Sequence, residues 1–140
     1  MNEVIITDSP EETMSFARRF AATLRKGSVV SLFGDLGTGK SVFCKGIASG
    51  FGISEAEVRS PSFTILNVYR GEDITINHFD LYRISDTDEL TYLGFDDHIY
   101  SDAVSLIEWS ERIAEDLPEH AVRVYMEQTG DDSRKIRIVR

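Results

Sequence analysis

The stretch Ser28-Val29-Val30-Ser31-Leu32-Phe33-Gly34-Asp35-Leu36-Gly37-Thr38-Gly39-Lys40-Ser41 decides the fold class. Its first six residues form a short, mostly apolar run, the pattern of a strand buried on both faces of a parallel sheet. The next eight, Gly34 to Ser41, satisfy G-x-x-x-x-G-K-[ST], the pattern of a phosphate-binding loop. Each residue type has a task there. Glycines let the backbone curl so that its N–H groups converge on phosphate oxygens. Lys40 supplies an ammonium for the β- and γ-phosphates, and the Ser41 hydroxyl is a ligand for Mg²⁺. A helix from Lys40 to Phe51, stopped by Gly52, turns its positive end toward the same anion.

Outward from this unit, strands and helices alternate. Glu3–Thr7 reads as a first strand. Ser9-Pro10-Glu11-Glu12 then opens a helix, with Ser9 as cap and Glu12 completing a capping box. Met14, Ala17, Phe20, Ala21 and Leu24 give that helix one apolar face, and Gly27 is its expected stop. Phe63–Arg70 and Ile74–Phe79 read as a hairpin around Gly71-Glu72-Asp73. Asp86–Leu93 reads as a helix closed by Gly94, Ala103–Ile107 as a buried strand, and Ser110–Leu117 as a short helix before Pro118. Ala121–Gln128 and Lys135–Val139 form a second hairpin around Gly130-Asp131-Asp132. The expectation is one α/β domain over residues 1–140, a three-layer sandwich on a mixed sheet with antiparallel hairpin additions.

Composition narrows the function. The 140 residues carry 15 Lys+Arg against 24 Asp+Glu, a net charge of −9, which argues against gripping nucleic acid through bulk charge. No apolar run approaches the ~18 residues of a membrane span. The N-terminus lacks the basic-then-apolar order of a secretory signal, and Cys44 as the single cysteine excludes an internal disulfide or a multi-thiolate metal site. A cytoplasmic protein without membrane contact is expected.

A phosphate loop that uses magnesium needs an acid nearby, and two strand ends offer one. Asp80 follows Ile74–Phe79, a run that alternates polar and apolar at first. Glu108 follows Ala103–Ile107, which looks more like a core strand. On strand character alone Glu108 is favoured, because α/β sheets bind ligands at the carboxyl ends of their strands. His78 reads as a packed or surface histidine and Cys44 as a helix-packing residue. Arg59, Arg70 and Arg83 read as scattered surface cations or a local patch.

The loop is followed in order by Ser60-Pro61-Ser62-Phe63, His78-Phe79-Asp80-Leu81-Tyr82-Arg83, Glu89-Leu90 with Leu93-Gly94, Ile107-Glu108-Trp109 and Leu117-Pro118. This order strongly resembles the TsaE (YjeE-like) family, bacterial P-loop ATPases of tRNA threonylcarbamoyladenosine biosynthesis. The resemblance covers nearly the whole chain. It implies the P-loop NTPase fold, ATP and Mg²⁺ as cofactors, and ATP contacts from Asp35, Leu36, Gly37, Thr38, Gly39, Lys40, Ser41 and Val42. It makes Ser41 and Glu108 the magnesium ligands, and Asp80 and Lys40 the catalytic residues, Asp80 as the acid that orients or activates the attacking water. Ser60 and Ser62 would belong to a switch-like segment near the γ-phosphate, and Trp109 would lie by the nucleotide or a partner. Pro10 and Arg134 would map near the adenine. Departures are mild: Thr38 stands where the family often has Ala, Ser41-Val42 where it often has Thr-Thr and Ser62 where it often has Thr, so Val42 offers only its N–H. The implied partners are TsaD and TsaB, with tRNA reached through their complex and adenosine 37 of tRNAs reading ANN codons as the modified base.

Two other classes share the loop. A small-molecule or nucleoside kinase would need an acceptor pocket and a lid, and no long helical lid separates the loop from Trp109. A nucleotide-dependent binding module would need no turnover. No N/T-K-x-D guanine-reading motif occurs in the chain.

Overall fold

A computed structural model describes residues 2–59, 65–84 and 88–140. The elements run β1 (Asn2–Thr7), α1 (Pro10–Ala21), β2 (Val29–Phe33), α2 (Lys40–Gly50), β3 (Leu66–Arg70), β4 (Thr75–Asp80), α3 (Asp88–Tyr92), α4 (Phe95–Ile99), β5 (Val104–Glu108), β6 (Val122–Gln128) and β7 (Arg134–Val139). Short 3₁₀ helices cover Glu55–Glu57 and Ser110–Asp116. The strands make one seven-stranded mixed sheet in the order β1-β7-β6-β2-β5-β4-β3. β2 lies parallel to both β5 and β6, and β4 parallel to β5. The two expected hairpins, β3–β4 and β6–β7, are antiparallel.

Strand parity divides the core into two layers. Val30, Leu32, Val104, Leu106, Val124 and Ile136 face α1 and α2. Val29, Phe33, Phe79 and Ile107 face α3, α4 and the 110–116 turn through Leu90, Phe95, Ile99 and Ile113. This is the expected three-layer α/β sandwich. Among the described residues no helix is long and apolar enough to cross a membrane.

The structure corrects local expectations. The Ser9 cap holds, with Glu12 N–H donating to Ser9 Oγ at 3.1 Å and Glu12 Oε2 accepting Asp8 N–H at 2.7 Å. The helix ends at Ala21, well short of Gly27, where Thr23 Oγ1 turns back to Phe20 O. The helix expected to close at Gly94 does so, α3 ending at Tyr92 with Gly94 at φ +67°, but a second short helix that the sequence reading left out, α4, follows from Phe95. The 110–116 segment is 3₁₀ and interrupted at Ile113. The start of the expected Phe63–Arg70 strand and of the Asp86–Leu93 helix lies outside the described residues.

α2 crosses α1 at unusually close range. A Cβ on Gly46 would sit 2.5 Å from Ala17 Cβ and 2.6 Å from Met14 O, and one on Gly50 would sit 2.6 Å from Ala21 Cβ. Small residues on both helices thus let the loop-bearing helix lie flat on the sheet. Gly46→Ala is expected to destabilise the fold by about 1–3 kcal/mol, the overpacking penalty outweighing the gain in helix propensity. Urea unfolding measures it, and wild-type stability in the variant would contradict the close crossing.

Candidate functional site

The Gly34–Ser41 stretch forms the turn between β2 and α2, as its pattern requires. Its glycines are forced. Gly34 sits at φ +153°, where a Cβ would lie 2.7 Å from both Met126 O and Thr38 Oγ1, and Gly39 sits at φ +95°. Thr38 is part of this closure: its hydroxyl donates to Asp35 O at 2.9 Å, tying the loop across its base. Asp35 and Leu36 are exposed at the crest. Gly39 caps α2, so no side-chain hydrogen bond closes that helix's N-terminus. A coiled glycine loop leading into a helix start with no side-chain cap fits an anionic ligand.

Lys40 is only 5% exposed. Its ammonium donates to Gly34 O and lies 3.4 Å from the centre of the Trp109 ring. Burial pulls it below the usual lysine range, while Glu111, Glu108, Asp80 and Asp35 push the other way. Trp109 reaches this position through a strained backbone: among the described residues it is the one non-glycine at positive φ, +61°. Such strain gathers at functional sites. Tyr82 packs on the indole at 4.9 Å between centroids.

The two candidate acids are neighbours. The parallel register pairs Asp80 with Glu108 at the carboxyl ends of β4 and β5. Asp80 Oδ1 accepts Tyr82 N–H at 3.0 Å. Burial lifts its carboxyl above the usual range, the Tyr82 N–H opposes this, and Glu108 adds to the lift. Glu108 is 3% exposed, and its Oε2 lies 2.6 Å from His78 Nε2. β4 is therefore an interior strand despite its alternating sequence, because its polar members are hydrogen-bonded: Asn77 reaches His98 O, and His78 reaches Glu108.

Arg134 braces the loop. Its Nε donates to Thr38 O at 3.1 Å and its guanidinium to Gly37 O at 2.9 Å. With Pro10, Thr13, Gly39, Val42 and Asp132 it lines a cavity of about 30 Å³. That is room for a water or two. The structure thus brings Pro10, Val42 and Arg134 together beside the loop. Ser41 follows Lys40 in the first turn of α2. Ser60 and Ser62 lie outside the described residues.

Two residues, Glu111 and Tyr69, escaped the sequence reading, and a third, His78, reads there only as a packed or surface histidine. Glu111, in the 110–116 turn, accepts Gly34 N–H at 2.9 Å and heads the carboxylates acting on Lys40. His78 and Tyr69 are joined at 2.9 Å on the sheet face that carries Glu108. Parity in β4, with His78 two residues before Asp80, is the signal that could have found the histidine. Glu111 leaves no such trace, since only the turn after Trp109 aims it. The ligand atoms of Cys44, His78 and Glu108 lie within 4.8 Å of one another. Burial pushes the Cys44 thiol well up, however, and the other two already satisfy each other. A wider hollow of about 570 Å³ beside α3 and α4 is lined by Asp88, Asp96, Asp97 and Asp116, a poor seat for a polyphosphate.

Fold and site together define a mixed-sheet α/β protein with a glycine loop between its central strand and the helix behind it. Comparison with known proteins carries this further. The family model described as "Threonylcarbamoyl adenosine biosynthesis protein TsaE" matches residues 7–136. The tRNA threonylcarbamoyladenosine biosynthesis protein TsaE of Bacillus subtilis is 41% identical over 130 residues, 93% of this chain and 80% of that one. Its counterpart from Rickettsia bellii is 40% identical over 134 residues, covering 96% and 92%. The crystal structure of Bacillus subtilis YdiB superposes with a TM-score of 0.77 at 34% identity, over 99% of this chain and 84% of that chain. The chain belongs to the TsaE family, and its role lies in threonylcarbamoyladenosine biosynthesis.

Asp80 gives a testable consequence. A carboxyl that binds its proton more tightly when folded lowers stability as pH rises through the carboxylate range. Asp80→Asn is expected to be slightly more stable than wild type at pH 7, the gain kept small by solvent screening of a partly exposed group. The difference should fade toward about pH 3, where wild-type Asp80 is also neutral. Chemical denaturation at both pH values checks it; a variant less stable at pH 7 would refute the assignment.

Proposed function

We propose that this protein is a Mg²⁺-dependent ATPase that serves, as an accessory, the threonylcarbamoylation of adenosine 37 in tRNAs reading ANN codons. One observation carries the reading: the glycine loop, buried Lys40 and the Asp80–Glu108 pair converge at the carboxyl ends of β2, β4 and β5. Those are the strand ends where open α/β sheets take their ligands.

The residues suit the chemistry. The N–H groups from Leu36 to Val42 and the Lys40 ammonium hold the phosphates, with Pro10 and Arg134 at the far side of the loop. Ser41 and Glu108 would hold the metal, Glu108 through the oxygen that His78 does not engage. When bound, Mg²⁺·ATP supplies the γ-phosphoryl and a metal charge that offsets the carboxylates. Asp80, lifted toward protonation and with Oδ1 held by Tyr82, orients water and takes its proton at Oδ2. Glu111 and the Trp109 face hold the loop and Lys40 in place when no phosphate does so.

Membership in the TsaE family supports the accessory role. TsaD and TsaB are the proposed partners, tRNA is met through their complex, and the setting is the cytoplasm. An acidic chain of net charge −9 suits indirect contact with tRNA.

Lys40→Ala is expected to weaken ATP binding by about 100-fold or more, the loss of a charge-assisted contact of about 3 kcal/mol. Calorimetry reads it, and unaltered affinity would contradict the site. Because the Trp109 ring lies on the Lys40 ammonium, saturating nucleotide should also change the intrinsic fluorescence of this single tryptophan. A flat titration would remove Trp109 from the site. Co-purification of TsaD and TsaB with the tagged chain, with and without ATP, tests the partners.

A further inference from the structure

A buried hydroxyl and a buried imidazole must both find partners. Tyr69, His78 and Glu108 do so in a line. They come from the adjacent strands β3, β4 and β5. His78, fully buried, meets Glu108 Oε2 at 2.6 Å through Nε2 and the Tyr69 hydroxyl at 2.9 Å through Nδ1. The hydroxyl then closes on both backbone groups of Arg59, accepting its N–H at 3.1 Å and meeting its carbonyl at 2.9 Å. Asn67 Nδ2 donates to the same carbonyl at 3.0 Å. Arg59 directly precedes Ser60 in the chain.

Proton counting shows why this line carries information. The Tyr69 hydroxyl has one proton and two acceptors in reach, Arg59 O and His78 Nδ1. An ionised Glu108 only accepts, so it calls for a proton on Nε2. With the ring proton on Nε2, Nδ1 accepts the hydrogen bond of the Tyr69 O–H, and Arg59 O is left to Asn67. When Oε2 moves away from Nε2, the ring is free to carry its proton on Nδ1 instead. It then donates to Tyr69, and the hydroxyl turns to Arg59 O. The position of one carboxylate oxygen thereby sets which way a hydroxyl points 39 residues earlier in the chain, across the roughly two strand spacings that separate β5 from β3.

We propose that His78 and Tyr69 are positioning residues: they hold Glu108 by a single oxygen and couple its position to the backbone at Arg59. A metal-bound nucleotide acting on Glu108 then changes how firmly Arg59 is held. The coupling rests on the reading of Glu108 as a metal ligand; the hydrogen-bonded line itself does not.

Native-state amide exchange on the full chain, read by NMR at Arg59, tests both levels. Without nucleotide, Tyr69→Phe keeps the ring and removes the hydroxyl, and Arg59 exchange should rise about fivefold or more. Glu108→Gln should also alter exchange at Arg59, by about twofold or more. In the double variant it should add nothing to Tyr69→Phe, a non-additivity that two separate packing roles would not produce. Either single variant leaving Arg59 at the wild-type rate, or additive effects, overturns the line; if Tyr69→Phe does not fold, Glu108→Gln alone decides it. With magnesium and a non-hydrolysable ATP analogue, wild-type Arg59 exchange should change by about twofold or more. Tyr69→Phe should bind the analogue within about threefold of wild type yet show no such change. A wild type that binds the analogue with Arg59 unmoved overturns the coupling. A wild type that does not bind it at all overturns the proposed function, while the nucleotide-free variants still decide the line.

Discussion

Lys40 carries its charge on a side chain almost wholly withdrawn from water. An isolated ammonium in that position would be costly, and the surrounding structure is arranged to answer it. Asp35, Asp80, Glu108 and Glu111 surround it with negative potential, Gly34 O accepts its hydrogen bond, and the Trp109 face lies against it. These groups come from the loop, from β4, from β5 and from the turn after β5. The sheet must therefore be complete before the lysine is comfortable, and the lysine in turn holds the loop to the sheet.

The same crowding suits the site to the proposed reaction. Asp80 and Glu108 stand side by side, so burial and mutual repulsion lift the Asp80 carboxyl toward protonation. Their ionised forms gain when a cation arrives. His78 takes one oxygen of Glu108, Tyr82 takes one of Asp80, and each acid keeps its other oxygen for the task the proposed reaction sets. Such pre-oriented charge is how a site stabilises developing charge without rearranging.

Much of this was legible in the chain. The β2–loop–α2 unit follows from a local pattern whose glycines, lysine and serine lie within eight residues, and the structure forms it where expected. Both hairpins followed from turn residues between apolar runs. The reading preferred Glu108 over Asp80 because β4 alternates; the interior placement of β4 shows that alternation misleads when a buried strand's polar side chains find partners. The first helix was read too long because Leu24 continues its periodicity. That residue packs against the core from a turn, beyond the helix end.

The sequence by itself determined the class of the protein and the residues able to meet a phosphate, because those signals are short-range: a bend that only glycine tolerates, a lysine at a set distance from it, a helix start behind it. Only the tertiary structure decided that Asp80 faces Glu108, that Glu111 reaches Gly34, that Arg134 grips the loop from the far end of the chain, and that Tyr69 and His78 lead from Glu108 to Arg59. These depend on which strands lie side by side and in what register. That order is set by burying both faces of the whole sheet at once, a global constraint that no single segment records.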